Sequence, residues 1–537
     1  MVDQLVGADQ SVTGAPVVAV RGRLRSYLPD IAWLGAVFGA FFAVNDLSMW
    51  MTAPYWQDEA WVALSTRVPL SDLPQITSST PLGWSLLLRL VADPGSFRLV
   101  PLAFALIAVV AAYALGRLLP WRTRVESMLA GAACAGAVVL LPAQQLRHDL
   151  KQYTADAAVT LALLAATAWL ERSWSRRRVA AVAALAPVAF LVSQATLIVA
   201  VATFAGLMVG AAARRDRRRF IEATVAGAAS GLALLILFLV LVEPNRNETL
   251  RHYWDDFYPS PSQLPGYLGS HLRPLGPSAG FRHLAIPVFA VLGVAALLVK
   301  RRVATMAAFV GIPALLVALG VARTYPLLDQ RTSYFLFAAG AALAGIGVLG
   351  AATYLARFVP RGSRPVWRIA CSAALALVAL GAFAVDNRAW YRFDGLDSRV
   401  PDSSPIALTD VRSQVRWVDA HRAPGDVVIV SVSAIHGYAF YHDDKPMAWQ
   451  PSAADTGWSP IIGDENVVVV GAHSAPAIQN AVDRAVARAR SNGPDARLLL
   501  IRTWWWGEKD AWTASLRPYA VNYPYTGTDP VAVVTNL

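Results

Sequence analysis

Two adjacent carboxylates, Asp58 and Glu59, stand in Tyr55-Trp56-Gln57-Asp58-Glu59-Ala60-Trp61, a few residues after the first long apolar run. Carboxylates at a membrane edge are costly to desolvate. The flanking aromatics, Trp61 among them, keep this pair partly dry. Such surroundings raise proton affinity and suit a carboxylate to general-base work. The same residues also suit a helix N-terminus, because acids favour the first turn and Asp is a good cap. Spacing leaves both readings open.

A second constellation is Arg147-His148-Asp149-Leu150-Lys151-Gln152-Tyr153-Thr154-Ala155-Asp156, a short turn leading into the fourth span. Arg147 and Lys151 are four apart and share a face if helical. Two cations at a membrane surface make a phosphate seat. Asp156 lies just inside the span, where an acid needs a partner or a purpose. Arg331 stands at a third boundary, in Tyr325-Pro326-Leu327-Leu328-Asp329-Gln330-Arg331-Thr332-Ser333-Tyr334. Interfacial anchoring is the bland alternative for these long basic side chains.

Other groups carry less. His436, His442, Asp443 and Asp444 match no zinc spacing and read as surface polar residues. Trp504–Trp506 reads as core or interfacial packing, and Asp255 and Asp256 as a solvated loop. The only cysteines, Cys134 and Cys371, lie inside apolar runs. That excludes a disulfide framework and argues against a reactive thiol.

The elements that position these residues follow from composition. Of 537 residues, 56% are hydrophobic and 15% charged. A soluble domain is about 25% charged, so this chain reads as a polytopic α-helical membrane protein. Apolar runs of span length fall near 31–51, 99–116, 127–143, 154–171, 180–192, 195–213, 221–242, 284–299, 303–322, 334–356 and 369–386, about 11 transmembrane helices. The pair 180–192 and 195–213 reads as a hairpin of two short helices broken at Ser193–Thr196. The first run is too long for a signal-peptide core and reads as an uncleaved anchor.

Lys and Arg set the expected orientation. One set of loops carries clusters such as Arg176–Arg178, Arg217–Arg219 and Lys300–Arg302, at roughly three times the density of the alternate set. The dense set is expected in the cytoplasm. Residues 1–30 then form a cytoplasmic N-terminal segment, 31–386 the transmembrane domain, with outer loops 52–98 and 243–283, and 387–537 an extracytoplasmic domain. The net charge of +11 is thereby topology, and nucleic acid is not an expected partner. Short cytoplasmic loops leave no room for a nucleotide-binding domain.

The C-terminal domain alternates strand and helix patterns. Buried-strand runs at Asp426–Val432, Asn466–Gly471 and Arg497–Arg502, a helical pattern at Ala475–Arg490 and a last strand at Val531–Val534 predict a small α/β layer with a parallel sheet.

The order of parts is one span, an outside loop with a paired acid, a Pro81-Leu82-Gly83-Trp84 re-entry, then many spans. It resembles the C-type (GT-C) membrane glycosyltransferases, and within them the protein O-mannosyltransferase, aminoarabinose-transferase and lipopolysaccharide galacturonosyltransferase-like group. Asp58 and Glu59 match that group's loop acids. Lys151-Gln152-Tyr153 with Asp156 resembles a Lys-Gln-Tyr-x-x-Asp pattern of bacterial members, and Arg331 with Tyr334 an Arg-Tyr motif before a late span. Where the group carries His/Lys-Pro-Pro-Leu-Tyr, this chain has Ser79-Thr80-Pro81-Leu82-Gly83-Trp84, without the His or Lys.

The resemblance implies a sugar donor on polyprenyl phosphate and an envelope glycan, lipid or protein acceptor, in a bacterial plasma membrane. It implies Asp58 as base, with Glu59 orienting the acceptor. Lys151, Arg331, Arg147 and Tyr153 would bind the donor phosphate, and Asp156, Tyr334 and Trp61 would be further substrate contacts. No cofactor is required by this scheme, although an Asp-Glu pair can hold a divalent cation, as in related oligosaccharide transferases. A transporter or flippase of lipid-linked sugars, or a non-enzymatic envelope scaffold, is the alternative.

Overall fold

In hydrocarbon, backbone N–H and C=O groups find no water, so long apolar runs close their hydrogen bonds internally as helices. The computed structural model of the chain describes residues 15–77, 80–141, 149–245, 252–278, 285–329, 331–358, 365–388, 391, 410–452, 457–503, 508–525, 527 and 530–537. Its main helices are α1 (Ala15–Val44), α2 (Gln57–Ser65), α3 (Leu82–Arg89), α4 (Leu99–Leu118), α5 (Arg124–Val139), α6 (Tyr153–Arg172), α7 (Arg176–Phe190), α8 (Thr196–Ala213) and α9 (Arg217–Leu237). They continue with α10 (Leu264–Ser278), α11 (Ala285–Val299), α12 (Val303–Val321), α13 (Tyr334–Leu355) and α14 (Pro365–Asp386).

A helix lies on each of the eleven expected segments: α1, α4–α9 and α11–α14. Among the described residues, eight helices are long and apolar enough to cross a membrane, and the chain is a multi-pass membrane protein. The short ones are α5, α7 and α11, with 16, 15 and 15 residues. Fifteen residues rise only about 22 Å, less than a hydrocarbon core of about 30 Å. The first span also stops early, at Val44 rather than 51, where the Asn45 side chain donates to the Phe41 carbonyl at 2.8 Å.

The bundle packs through small residues. Helix α11 lies along α13, α8 along α12, and α4 along α5 and α6. A Cβ on Gly347 of α13 would collide with the Phe289 carbonyl of α11, so glycine sets that close approach. At the end of the bundle away from Asp58, Glu171 caps α12. Its carboxylate accepts from Ala304 N and Thr305 N at 3.2 Å each and pairs with Arg214 at 3.0 Å.

The C-terminal region is α/β. It contains helices α15 (Val411–His421), α16 (Ile435–His442), α17 (Ala475–Asn492) and α18 (Glu508–Leu516). Its strands are β1 (Val427–Val430), β2 (Trp449–Pro451), β3 (Trp458–Pro460), β4 (Val467–Val469), β5 (Leu498–Ile501), β6 (Ala520–Tyr525) and β7 (Val531–Thr535). The main sheet runs β4-β1-β5-β7-β6. Strands β4, β1 and β5 are parallel as expected, but β7 runs antiparallel to β5, and β6 antiparallel to β7. The sheet is therefore mixed. The five residues between β6 and β7 allow only a hairpin, because a parallel pair needs a crossover of a dozen residues or more.

Candidate active site

The site begins at the N-terminus of α2, where Asp58 and Glu59 occupy the first turn. Adjacent on the chain, they take different partners. Glu59 is fully buried. Its Oε1 accepts from Arg98 Nε at 2.9 Å and its Oε2 from Arg98 Nη2 at 2.6 Å. Arg98, at the start of α4, also donates to the carbonyls of Ala53 at 2.6 Å and Pro54 at 3.0 Å. A two-pronged guanidinium–carboxylate pair of this kind fixes geometry as well as charge. Glu59 Oε2 also reaches back to Trp56 N at 3.3 Å, so the capping reading describes part of what this residue does.

Glu59 further accepts the backbone N–H of Leu150 at 3.0 Å, while the Leu150 carbonyl accepts Trp84 Nε1 at 2.7 Å. The Leu150 peptide is thus clamped on both sides. The Pro81–Trp84 re-entry supplies one jaw. Gly83 lets its helix approach α7, since a Cβ there would lie 2.5 Å from the Leu191 carbonyl.

The clamp aims the next residue. Lys151 Nζ donates to Asp58 Oδ2 at 2.7 Å, and Arg331 Nη1 donates to the same oxygen at 3.0 Å. These side chains are 9% (Lys151), 15% (Arg331) and 16% (Asp58) exposed, so the ions are partly dry yet reachable. Asp58 Oδ1 accepts no hydrogen bond from the described residues. Burial alone would raise the Asp58 carboxyl; Lys151 and then Arg331 outweigh it and hold it below the usual carboxylate range.

Aromatic rings line the cations. The Lys151 ammonium lies 5.0 Å from the Trp61 ring centre. Arg331 lies 5.9 Å from Tyr253 and 5.8 Å from Trp254, and its Nη2 donates to the Tyr253 hydroxyl at 2.8 Å. Asp329 turns the chain into α13 by accepting Thr332 N at 2.8 Å, which sets Arg331 at the mouth. Residues 252–278 strap this segment: Arg323 donates to Asp255 at 2.6 Å, and Leu327 N to the Phe257 carbonyl at 3.1 Å.

The remaining candidates divide. Tyr153 is buried in the electrostatic field of Arg331, Asp149 and Asp58. Asp156 faces the α7–α8 break and accepts the Ser193 hydroxyl at 2.6 Å. Tyr334 is buried in the helical core. Arg147, His148 and Trp504–Trp506 lie outside the described residues.

Three residues escaped the sequence reading. Arg98 had no motif to flag it. Asp149 is buried and accepts Lys151 N at 3.0 Å; burial, Glu59 and Asp58 push its carboxyl up to about 7. His436, read as a surface residue, is 2% exposed, and its ring centre is 6.3 Å from that of Trp61. The docking of α16 on α2 buries it.

No protein-family model matches the chain, and no curated protein matches its sequence. Solved structures do match its shape. The archaeal oligosaccharyltransferase AglB from Archaeoglobus fulgidus, in complex with an inhibitory peptide and a dolichol-phosphate, superposes with a TM-score of 0.54 at 12% identity, over 95% of this chain and 74% of that one. The chain has a GT-C-type fold. The same oligosaccharyltransferase in complex with Zn and sulfate gives a TM-score of 0.53 at 14% identity, covering 94% of this chain and 73% of that one. Tethered to an acceptor peptide containing the NVT sequon, it gives 0.53 at 12% identity, covering 95% and 74%.

Proposed function

We propose that the chain is an inverting glycosyltransferase that moves a sugar from a polyprenyl-phosphate donor to a hydroxyl on an envelope glycan, lipid or protein. The observation that carries this reading is the single oxygen, Asp58 Oδ2, shared by Lys151 and Arg331. Two cations converging on one partly dry point form a seat for a phosphate, beside a carboxylate whose second oxygen accepts no hydrogen bond from the described residues. The likeness to an enzyme solved with a dolichol-phosphate supports a lipid-borne phosphate as occupant. The Arg-rich loops at the other end of the bundle support an extracytoplasmic site by the positive-inside rule. Nucleotide sugars are not supplied there, so a lipid must carry the activated sugar in a bacterial plasma membrane.

The chemistry then follows. The donor phosphate competes with Asp58 for Lys151 and Arg331. As they turn to it, Asp58 loses the charges that hold its proton affinity down and becomes a better base. The acceptor oxygen attacks the anomeric carbon in line and its proton passes to Asp58. The carbon–oxygen bond to phosphate breaks, and that electron pair stays on the phosphate, where Lys151 and Arg331 stabilise it. The leaving group is already a stable anion and needs no general acid, unlike the two-carboxylate scheme of a glycosidase. Direct displacement inverts the anomeric centre.

Glu59 is a positioning residue in this scheme: bound to Arg98 and to the Leu150 peptide, it aims Lys151. A divalent cation fits these residues poorly, because it would have to displace Lys151 and Arg331 from Asp58 and Arg98 from Glu59. No step is routed through a metal. The test is transfer by the purified full-length chain, with polyprenyl-phosphoryl mannose or arabinose as donor and a panel of octyl glycosides as acceptor. Product of inverted anomeric configuration is expected, together with saturable binding of polyprenyl phosphate that Lys151→Ala and Arg331→Ala each weaken. No binding, or binding indifferent to both substitutions, overturns the reading.

A further inference from the structure

The C-terminal α/β region meets the segments around α2 through one set of contacts. Tyr55 N donates to the Tyr441 hydroxyl at 2.6 Å, and the Tyr55 ring meets Phe440 edge-on at 5.5 Å. Arg67 lies over the Phe440 ring at 4.4 Å and donates to the Asp443 carbonyl. Trp449 Nε1 donates to Asp72 at 3.1 Å, and Arg412 to the Thr52 carbonyl at 2.9 Å. All these partners flank α2 in the chain. His436 of α16 belongs to the same seam: its ring centre is 6.3 Å from that of Trp61, and the Trp458 ring meets it edge-on at 4.6 Å.

Trp61 connects this seam to the reacting groups. Its ring centre is 6.3 Å from that of His436 and 5.0 Å from the Lys151 ammonium, and Lys151 bonds Asp58.

We infer that the C-terminal region is a working part of the site, and that His436 is a positioning residue: its ring backs Trp61, the ring that Lys151 lies over. This rests on the reading of Asp58 as base and Lys151 as phosphate seat. The flat ring positions Lys151 through Trp61.

The experiment uses the full-length protein in lipid nanodiscs and compares wild type with His436→Ala, His436→Phe and His436→Gln. Polyprenyl phosphate is titrated by intrinsic fluorescence. His436→Ala should weaken phosphate binding about tenfold, and His436→Phe, which restores a flat ring, should return it to within about twofold. His436→Gln, polar but without a ring, should stay as weak as His436→Ala, a pattern that a merely structural loss would not follow. If the three variants bind phosphate like wild type, or if His436→Phe binds no better than His436→Ala, the inference is overturned. The prior reading is tested separately: wild-type binding that ignores Lys151→Ala and Arg331→Ala sinks it, and this inference with it.

Discussion

Replacing Asp58 with Asn separates two roles that a simple loss-of-function test would merge. The amide keeps the size of the carboxylate and an oxygen that Lys151 and Arg331 can still address, but it cannot take a proton and carries no charge. Transfer should fall by about 10²–10⁴-fold, the usual worth of a general base. Lipid-phosphate binding should move the other way. In the wild type the incoming phosphate must draw two cations away from a carboxylate that holds them at 2.7 and 3.0 Å. Charge-assisted hydrogen bonds are worth about 1.5–3 kcal/mol each, and the phosphate replaces most of what it breaks. Only the difference counts. Removing the competing charge should contribute about 1–2 kcal/mol, or roughly 5- to 30-fold tighter binding. The free variant should be less stable, because Lys151 and Arg331 lose the charge that offsets their burial. Polyprenyl phosphate should therefore raise its Tm more than that of the wild type. The assay is fluorescence titration, helped by Trp61 and Trp254 beside the two cations, with thermal unfolding in parallel. Transfer within tenfold of wild type, or weaker phosphate binding by the Asn variant, refutes the argument.

Other expectations follow from the same geometry. Lys151→Ala and Arg331→Ala should each weaken polyprenyl-phosphate binding by about 10- to 100-fold in the same titration, since each removes a charge-assisted bond. Breaking the Glu59–Arg98 pair from either side, by Glu59→Gln or Arg98→Met, should cost about 3–5 kcal/mol because it strands a buried charge. The double variant, measured by denaturant unfolding in detergent, should cost less than the two singles together. Asp149 sets a pH dependence. Its folded-state carboxyl is raised to about 7 by burial, Glu59 and Asp58, above an unfolded value near 3.9. The native state therefore holds a proton that the unfolded chain has lost, and stability falls as pH rises from about 4 through 7. Asp149→Asn should flatten that fall, read as Tm at pH 5 and pH 8.

The helices were legible because spans are long and their signal is composition. The charged triad was legible because Asp58, Lys151 and Arg331 each stand where an apolar run meets a loop, a place where charge is costly and conspicuous. What escaped depends on docking. Arg98 looks like any basic residue at a span boundary, and nothing in its neighbours announces a partner 39 positions earlier. His436 looks solvated in sequence because the surface that buries it belongs to α2, far away in the chain. The antiparallel end of the sheet escaped for a different reason: the polar pattern of β6 hid a strand, and with it the hairpin that reverses β7.

The partners of Asp58 stand 93 and 273 positions after it. A chain emerging from the ribosome makes the acid first, its lysine next, and its arginine only after most of the bundle exists. Until then, the carboxylate lacks half of its neutralising charge and must stay hydrated. The charged cluster is therefore completed late along the chain, after most of the bundle has been made. A truncation before Arg331 removes one of the two cations that neutralise Asp58.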